Sequence, residues 1–182
     1  MKLISILSIL TLLAACASPV APWTTDTPVP PVADLQVPFD FEIKLYQGQD
    51  TLGGARINFS DAFDGKPVVA VLWAGLCPTC RRELPLMQKA YKEYGERINF
   101  VGIDIGPYTG LGFEPEGREL LRQLEITFPA GGPPDGAFMR EYRILGTPSS
   151  IFFSADGEVV HQWSGLIPAK QLRDNMEALL DS

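Results

Sequence analysis

An unbroken apolar run, Val68-Val69-Ala70-Val71-Leu72-Trp73, is followed almost at once by Cys77-Pro78-Thr79-Cys80 and a helical segment from Arg81 onward. Such a run without polar alternation predicts a central strand with both sheet faces covered by helices. The chain must then turn sharply into a helix whose first turn carries a dithiol. A helix N-terminus presents unpaired N–H groups and a partial positive charge. Both favour a thiolate, the form of cysteine that attacks disulfides. This segment therefore demands a layered α/β arrangement and points to redox chemistry, although a Cys-x-x-Cys pair alone leaves metal binding open.

The chain has 182 residues, which suits one domain with extensions. Hydrophobic residues make up 46%, enough for a packed core and too many for a disordered chain. The formal net charge is -7. An acidic domain repels phosphate backbones, so no nucleic-acid partner is expected.

The N-terminus reads as a targeting segment rather than part of the fold. Lys2 is the single charge before a mostly apolar stretch, Leu3 to Ala15, which is too short to span a bilayer. Leu13-Ala14-Ala15-Cys16 matches the bacterial lipoprotein signal, so residues 1–15 are expected to be removed and Cys16 to carry lipid. The protein is then anchored to the bacterial cell membrane on its extracytoplasmic side. The three cysteines resolve accordingly: with Cys16 lipidated, Cys77 and Cys80 remain as one pair in a disulfide-permissive compartment. Residues 16–38 include prolines at 19, 22, 28, 30, 31 and 38. They read as an extended tether with a reach of roughly 70 Å.

The folded domain is expected over 39–182. Phe39, Phe41, Ile43 and Leu45 alternate with polar residues as a half-buried strand, and a second strand over 55–59 pairs back as a hairpin. The first long helix is expected over 78–94, with Pro85 inside it. A strand follows over 98–105, then a loop over 106–117 and a short helix over 116–124. An extended piece is expected over 126–130 and another short helix over 135–142. Strands over 149–154 and 159–163 close on the turn Ala155-Asp156-Gly157-Glu158, and a last helix reaches Leu180. The order implies an α/β sandwich.

Taken together, these motifs resemble the thioredoxin superfamily, and within it the TlpA/ResA-like membrane-tethered thiol–disulfide oxidoreductases, which include the cytochrome c maturation thioredoxins of CcmG/DsbE type. Gly65-Lys66-Pro67-Val68-Val69, Trp73, Cys77-Pro78-Thr79-Cys80-Arg81, Glu83, Pro85, Gly146-Thr147-Pro148-Ser149 and Asp156-Gly157 carry the resemblance, which covers roughly residues 39–180. It implies a thioredoxin-like fold with an N-terminal β-hairpin extension and a central αβ insertion. Two positions depart from the pattern. Leu76 stands where the family usually has an aromatic, and Val71 where thioredoxins proper carry a buried Asp, so Glu83 is the better proton acceptor.

The expected catalytic residues are Cys77 as exposed nucleophile, Cys80 as resolving thiol and Glu83 as proton acceptor or potential-tuning group. Periodicity alone reads Glu83 as a solvated helix residue; the resemblance argues for function. Trp73, Thr147 and Pro148 are expected at the substrate, Pro148 as a cis-proline and Thr147 through backbone pairing with an extended chain. Asp104 either faces the site or closes a strand-end turn, and His161 is expected on the surface. No cofactor and no metal are expected. The implied partners are protein disulfides, with apocytochrome c or its maturation partners as candidates, and a membrane electron donor. Two other classes stay open: a thioredoxin-fold copper chaperone and a thiol peroxidase.

Overall fold

The structure, a computed structural model, describes residues 40–182. The expectations for the signal segment 1–15, for Cys16 and for the tether 16–38 lie outside the described residues.

A seven-stranded mixed sheet forms the centre, in the order β2-β1-β5-β4-β3-β6-β7. Strand β3 (Val68–Trp73) runs parallel to β4 (Asn99–Asp104), which runs parallel to β5 (Ala130–Gly132). On the other side of β3, strands β6 (Ser149–Phe153) and β7 (Val159–Ser164) form an antiparallel hairpin. The N-terminal hairpin of β1 (Glu42–Gln47) and β2 (Arg56–Asn58) joins through β1, antiparallel to β5. Its turn contains a short helix, α1 (Gln49–Leu52), and β2 leads into a 3-10 turn, Phe59–Phe63. There the Asn58 N–H donates to Asp61 Oδ2 at 2.8 Å.

Both faces of β3 are buried, as its apolar run requires. Val69, Val71 and Trp73 enter one core with Leu84 and Met87 of helix α2 (Pro78–Tyr94) and Leu172 and Met176 of helix α6 (Ala169–Leu180). Val68, Ala70 and Leu72 enter the opposite core with Phe59, Ile103, Phe153 and Phe138 of α5 (Ala137–Glu141). This alternation is the two-residue period of a strand covered on both sides. Pro85 lies within α2, which spans its full range regardless.

The insertion between β4 and β5 differs from the expected loop. It contains α3 (Gly106–Thr109) and α4 (Glu114–Gln123), which begins earlier than expected. Prolines sit in the first turns of both helices, where a missing N–H costs nothing. The Phe113 N–H is taken by Glu116 Oε2 at 2.9 Å, which fixes the start of α4. The extended piece expected over 126–130 is displaced to Ala130–Gly132. The Gln47 side chain donates to the Ile126 and Phe128 carbonyls, each at 2.8 Å, and so occupies acceptors a strand neighbour would use. Among the described residues, no helix is long and apolar enough to cross a membrane.

Candidate active site

Strand β3 ends at Trp73, and the chain reaches α2 through Ala74-Gly75-Leu76-Cys77. This turn is packed tightly. A Cβ on Gly75 would run into the backbone of Glu116 at the start of α4. The Leu76 N–H donates to the Leu111 carbonyl at 2.8 Å, and the Cys77 N–H to the Ala74 carbonyl at 3.1 Å. Cys77 is the N-cap of α2, in an extended conformation, with Pro78 following in the first helical turn. The Cys80 N–H donates to Cys77 Sγ at 3.1 Å, so a helix-terminal donor is aimed at that sulfur. Cys77 and Cys80 form a disulfide with their Cα atoms 5.2 Å apart.

The exposure expected for Cys77 is corrected here. It is only 4% exposed, against 0% for Cys80. Capping draws its sulfur back over the helix end, and the neighbouring Leu76 takes the surface instead, at 58% exposed. The approach to the disulfide is therefore narrow.

Glu83, one turn beyond Cys80, is 1% exposed, which overturns the reading as a solvated helix residue. Its Oε2 accepts the Ile167 N–H at 3.4 Å, and its Oε1 has no hydrogen-bond partner among the described residues. Burial pushes its pKa up to about 7, against the opposing pull of the Ile167 N–H. The carboxyl thus titrates where a proton acceptor for a thiol is useful.

The Thr147–Pro148 bond is cis. Leu72 pairs with Ser149, so the next step of the ladder sets Pro148 beside Trp73, where the dithiol turn leaves the sheet. The Pro148 carbonyl accepts the Gly165 N–H at 2.8 Å. Pro148 is buried and Thr147 half-buried. Trp73 is corrected: it is fully buried in the core that also holds both cysteines, so it supports the site from below and offers no surface to a substrate. Arg82 is exposed, and the Arg81 guanidinium is engaged by Gln123 Oε1 at 2.8 Å. His161, expected on the surface, is half-buried beside Trp163.

A second buried carboxyl flanks the same platform. Asp104 ends β4 directly opposite Trp73 in the register and is 1% exposed. It does close the strand-end turn, its Oδ1 accepting the Gly106 N–H at 2.9 Å. Its Oδ2 accepts the Tyr46 hydroxyl at 3.3 Å. Burial raises its pKa to about 6, with these two donors pulling down and the charges of Glu114 and Glu116 pushing up. The link to Tyr46 joins positions far apart in the chain, and no local spacing announces it.

Comparison with known proteins agrees with this fold. The AhpC/TSA family profile matches residues 35–162. The thiol-disulfide oxidoreductase ResA of Bacillus thuringiensis subsp. konkukian is 25% identical over 128 residues, 70% of this chain and 71% of that protein. A Chlorobium tepidum structure described as a thiol:disulfide interchange protein DsbE superposes with a TM-score of 0.63 at 26% identity, covering 78% of this chain and 93% of that one. The exposed lipoprotein thioredoxin of Streptococcus pneumoniae superposes with a TM-score of 0.61 at 22% identity, covering 77% and 99% of the two chains.

Proposed function

The chain belongs to the AhpC/TSA family and is a thiol–disulfide oxidoreductase of thioredoxin-like fold, and from that premise we propose that it is a lipid-anchored, extracytoplasmic reductant of selected protein disulfides. The observation that carries the reading is the placement of the Cys77–Cys80 disulfide on the first turn of α2, with a helix N–H aimed at Cys77 Sγ and the buried Glu83 carboxyl one turn further on.

In the reduced protein, the N-terminal end of α2 favours the Cys77 thiolate. The thiolate attacks one sulfur of a substrate disulfide. A mixed disulfide forms, and the other substrate sulfur leaves as a thiolate. Glu83 takes the Cys80 proton, and the resulting thiolate attacks Cys77 Sγ. The second substrate sulfur departs, and the Cys77–Cys80 disulfide is restored. Two electrons have passed to the substrate, so a membrane electron donor must return two. Backbone groups of Thr147, before the cis-proline, pair with the extended substrate chain. Apocytochrome c cysteines or their maturation partners are the proposed targets, on the resemblance of the Cys-Pro-Thr-Cys segment, Glu83 and the Thr147-Pro148 loop to those of the maturation thioredoxins.

Equilibrating the dithiol against a defined redox buffer tests the direction. Thioredoxin-fold dithiols span about −270 to −120 mV. A reductant is expected near the negative end, and a midpoint near the positive end would make the protein an oxidant. Tight retention of Cu(I) without disulfide reduction would favour a copper chaperone, and turnover of hydrogen peroxide alone a peroxidase. The anchor is tested separately. Cys16→Ala is expected to move the protein from the membrane fraction to the soluble fraction with reductase activity retained. A variant that stays with the membrane would remove the lipid from the account.

A further inference from the structure

Beside the dithiol turn, on the β4 side, the N-terminal hairpin and the insertion enclose a cavity of about 380 Å³. Pro107, Phe113, Pro115, Pro133 and Pro134 give it apolar walls, and the Asp104 carboxyl and Tyr46 line its polar part. Its charges are unevenly matched. Lys44 pairs with Glu114 at 2.8 Å, and Arg56 pairs with Glu42. Among the described residues, Asp104 has no cationic partner: its two donors, the Gly106 N–H and the Tyr46 hydroxyl, are both uncharged. On the side of α4 there is no room for one, because a Cβ on Gly117 would already run into Asp104 Oδ2. A buried carboxylate without a cation is costly, and the space open to it is the cavity.

The chemistry that completes this site is a cationic head on an apolar stem. An alkylammonium or guanidinium group would meet Asp104, and its methylenes would lie against the proline and phenylalanine walls. A hard divalent ion wants six or more oxygens, and no group of three or more potential metal ligands occurs among the described residues. The position of the cavity says where the cation comes from. Phe113, 68% exposed, belongs to the loop whose Leu111 carbonyl holds the Leu76 N–H, one residue before Cys77. In the proposed reaction, a chain presenting its disulfide to Cys77 would run close to this end of the cavity. The geometry points to the cavity as a subsite for a lysine or arginine side chain of the disulfide-bearing substrate. This deepens the function proposed above and rests on it.

The test uses disulfide-bridged peptides that differ only in carrying lysine or norleucine, placed in turn at each position flanking the disulfide. Reduction is followed with the pre-reduced protein. At the matching position the lysine peptide is expected to react with a kcat/KM about tenfold higher, the worth of one charge-assisted hydrogen bond. Asp104→Asn is expected to bring that ratio close to one, and Tyr46→Phe to lower it in part. Independently of turnover and of any variant, N-acetyl-lysine methylamide is titrated into the isotope-labelled wild-type chain. Saturable shifts are expected at the Tyr46, Gly106 and Gly132 amides, and none with the norleucine analogue. Equal reduction of all peptides with no lysine-specific shifts would overturn the subsite and leave the redox reading standing. Shifts without reduction of any peptide would overturn the redox reading and leave a cation site.

Discussion

Cys80→Ser is expected to leave the protein covalently joined to its substrates, while Cys77→Ser lowers disulfide reduction by about a thousandfold or more. The asymmetry follows from position. Cys77 caps α2 and receives the Cys80 N–H at 3.1 Å, so a charge on its sulfur is supported by the helix end. Cys80 is fully buried on the first turn, where no external disulfide reaches it. Its only accessible target is the sulfur of Cys77. Removing it stops the sequence after the first exchange, and the mixed disulfide persists. Non-reducing electrophoresis of the two variants, expressed in their own compartment, reads the outcome directly. Adducts formed by Cys77→Ser and absent from Cys80→Ser would reverse the roles of attacking and resolving sulfur. Normal turnover by either variant would remove disulfide exchange through this pair altogether.

What could be read before the structure was whatever depends on neighbours in the chain. The apolar run from Val68 to Trp73 announces a strand covered on both faces, and it is one. The helix over 78–94 is marked by Pro78 at its start and the spacing of Leu84, Met87 and Tyr91, and it spans those residues. The cis-proline was visible only through resemblance, and the bond is cis. Strand β5 was misplaced because its core is Gly131-Gly132, which does not read as a strand. Glycine is required there by a distant neighbour: a Cβ on Gly131 would meet the Lys44 carbonyl oxygen across the β1–β5 ladder. Burial at the site was hidden for the same reason. Nothing near Glu83 in the chain shows that Ile167 and Ser150 enclose it. Nothing near Asp104 shows that Tyr46 arrives from the N-terminal hairpin. Trp73 is expected at the substrate from its place in the active-site segment, but α4 packs against it so closely that a Cβ on Gly117 would come within 3.3 Å of its ring.

Glu83→Gln is expected to make the oxidised protein more stable at pH 8 and a poorer reductant, two effects of opposite sign from one carboxyl. Burial raises the pKa from an ordinary 4.5 to about 7 in the folded chain. The folded state therefore holds the proton more tightly than the unfolded state does. The resulting stability is fully present below pH 4.5, is lost as pH rises toward 7, and is absent above it. At pH 8 the folded protein carries a buried carboxylate at a cost of roughly 3 kcal/mol. Glutamine does not titrate, so the variant escapes that cost. Its amide N–H groups inherit the unpartnered place of Oε1, which returns part of the gain. A net rise of several degrees in melting temperature at pH 8 is expected, shrinking to nothing or reversing at pH 4. The rate of substrate release should fall by about a hundredfold, and its pH step near 7 should disappear, because Cys80 has lost its proton acceptor. Calorimetry across pH on the oxidised form, with stopped-flow reduction of a disulfide peptide, reads both effects. A variant that melts lower at pH 8 and keeps the step near 7 would return Glu83 to a purely structural part. An acid buried where it weakens the fold above pH 7 is what the proposed proton exchange with Cys80 requires.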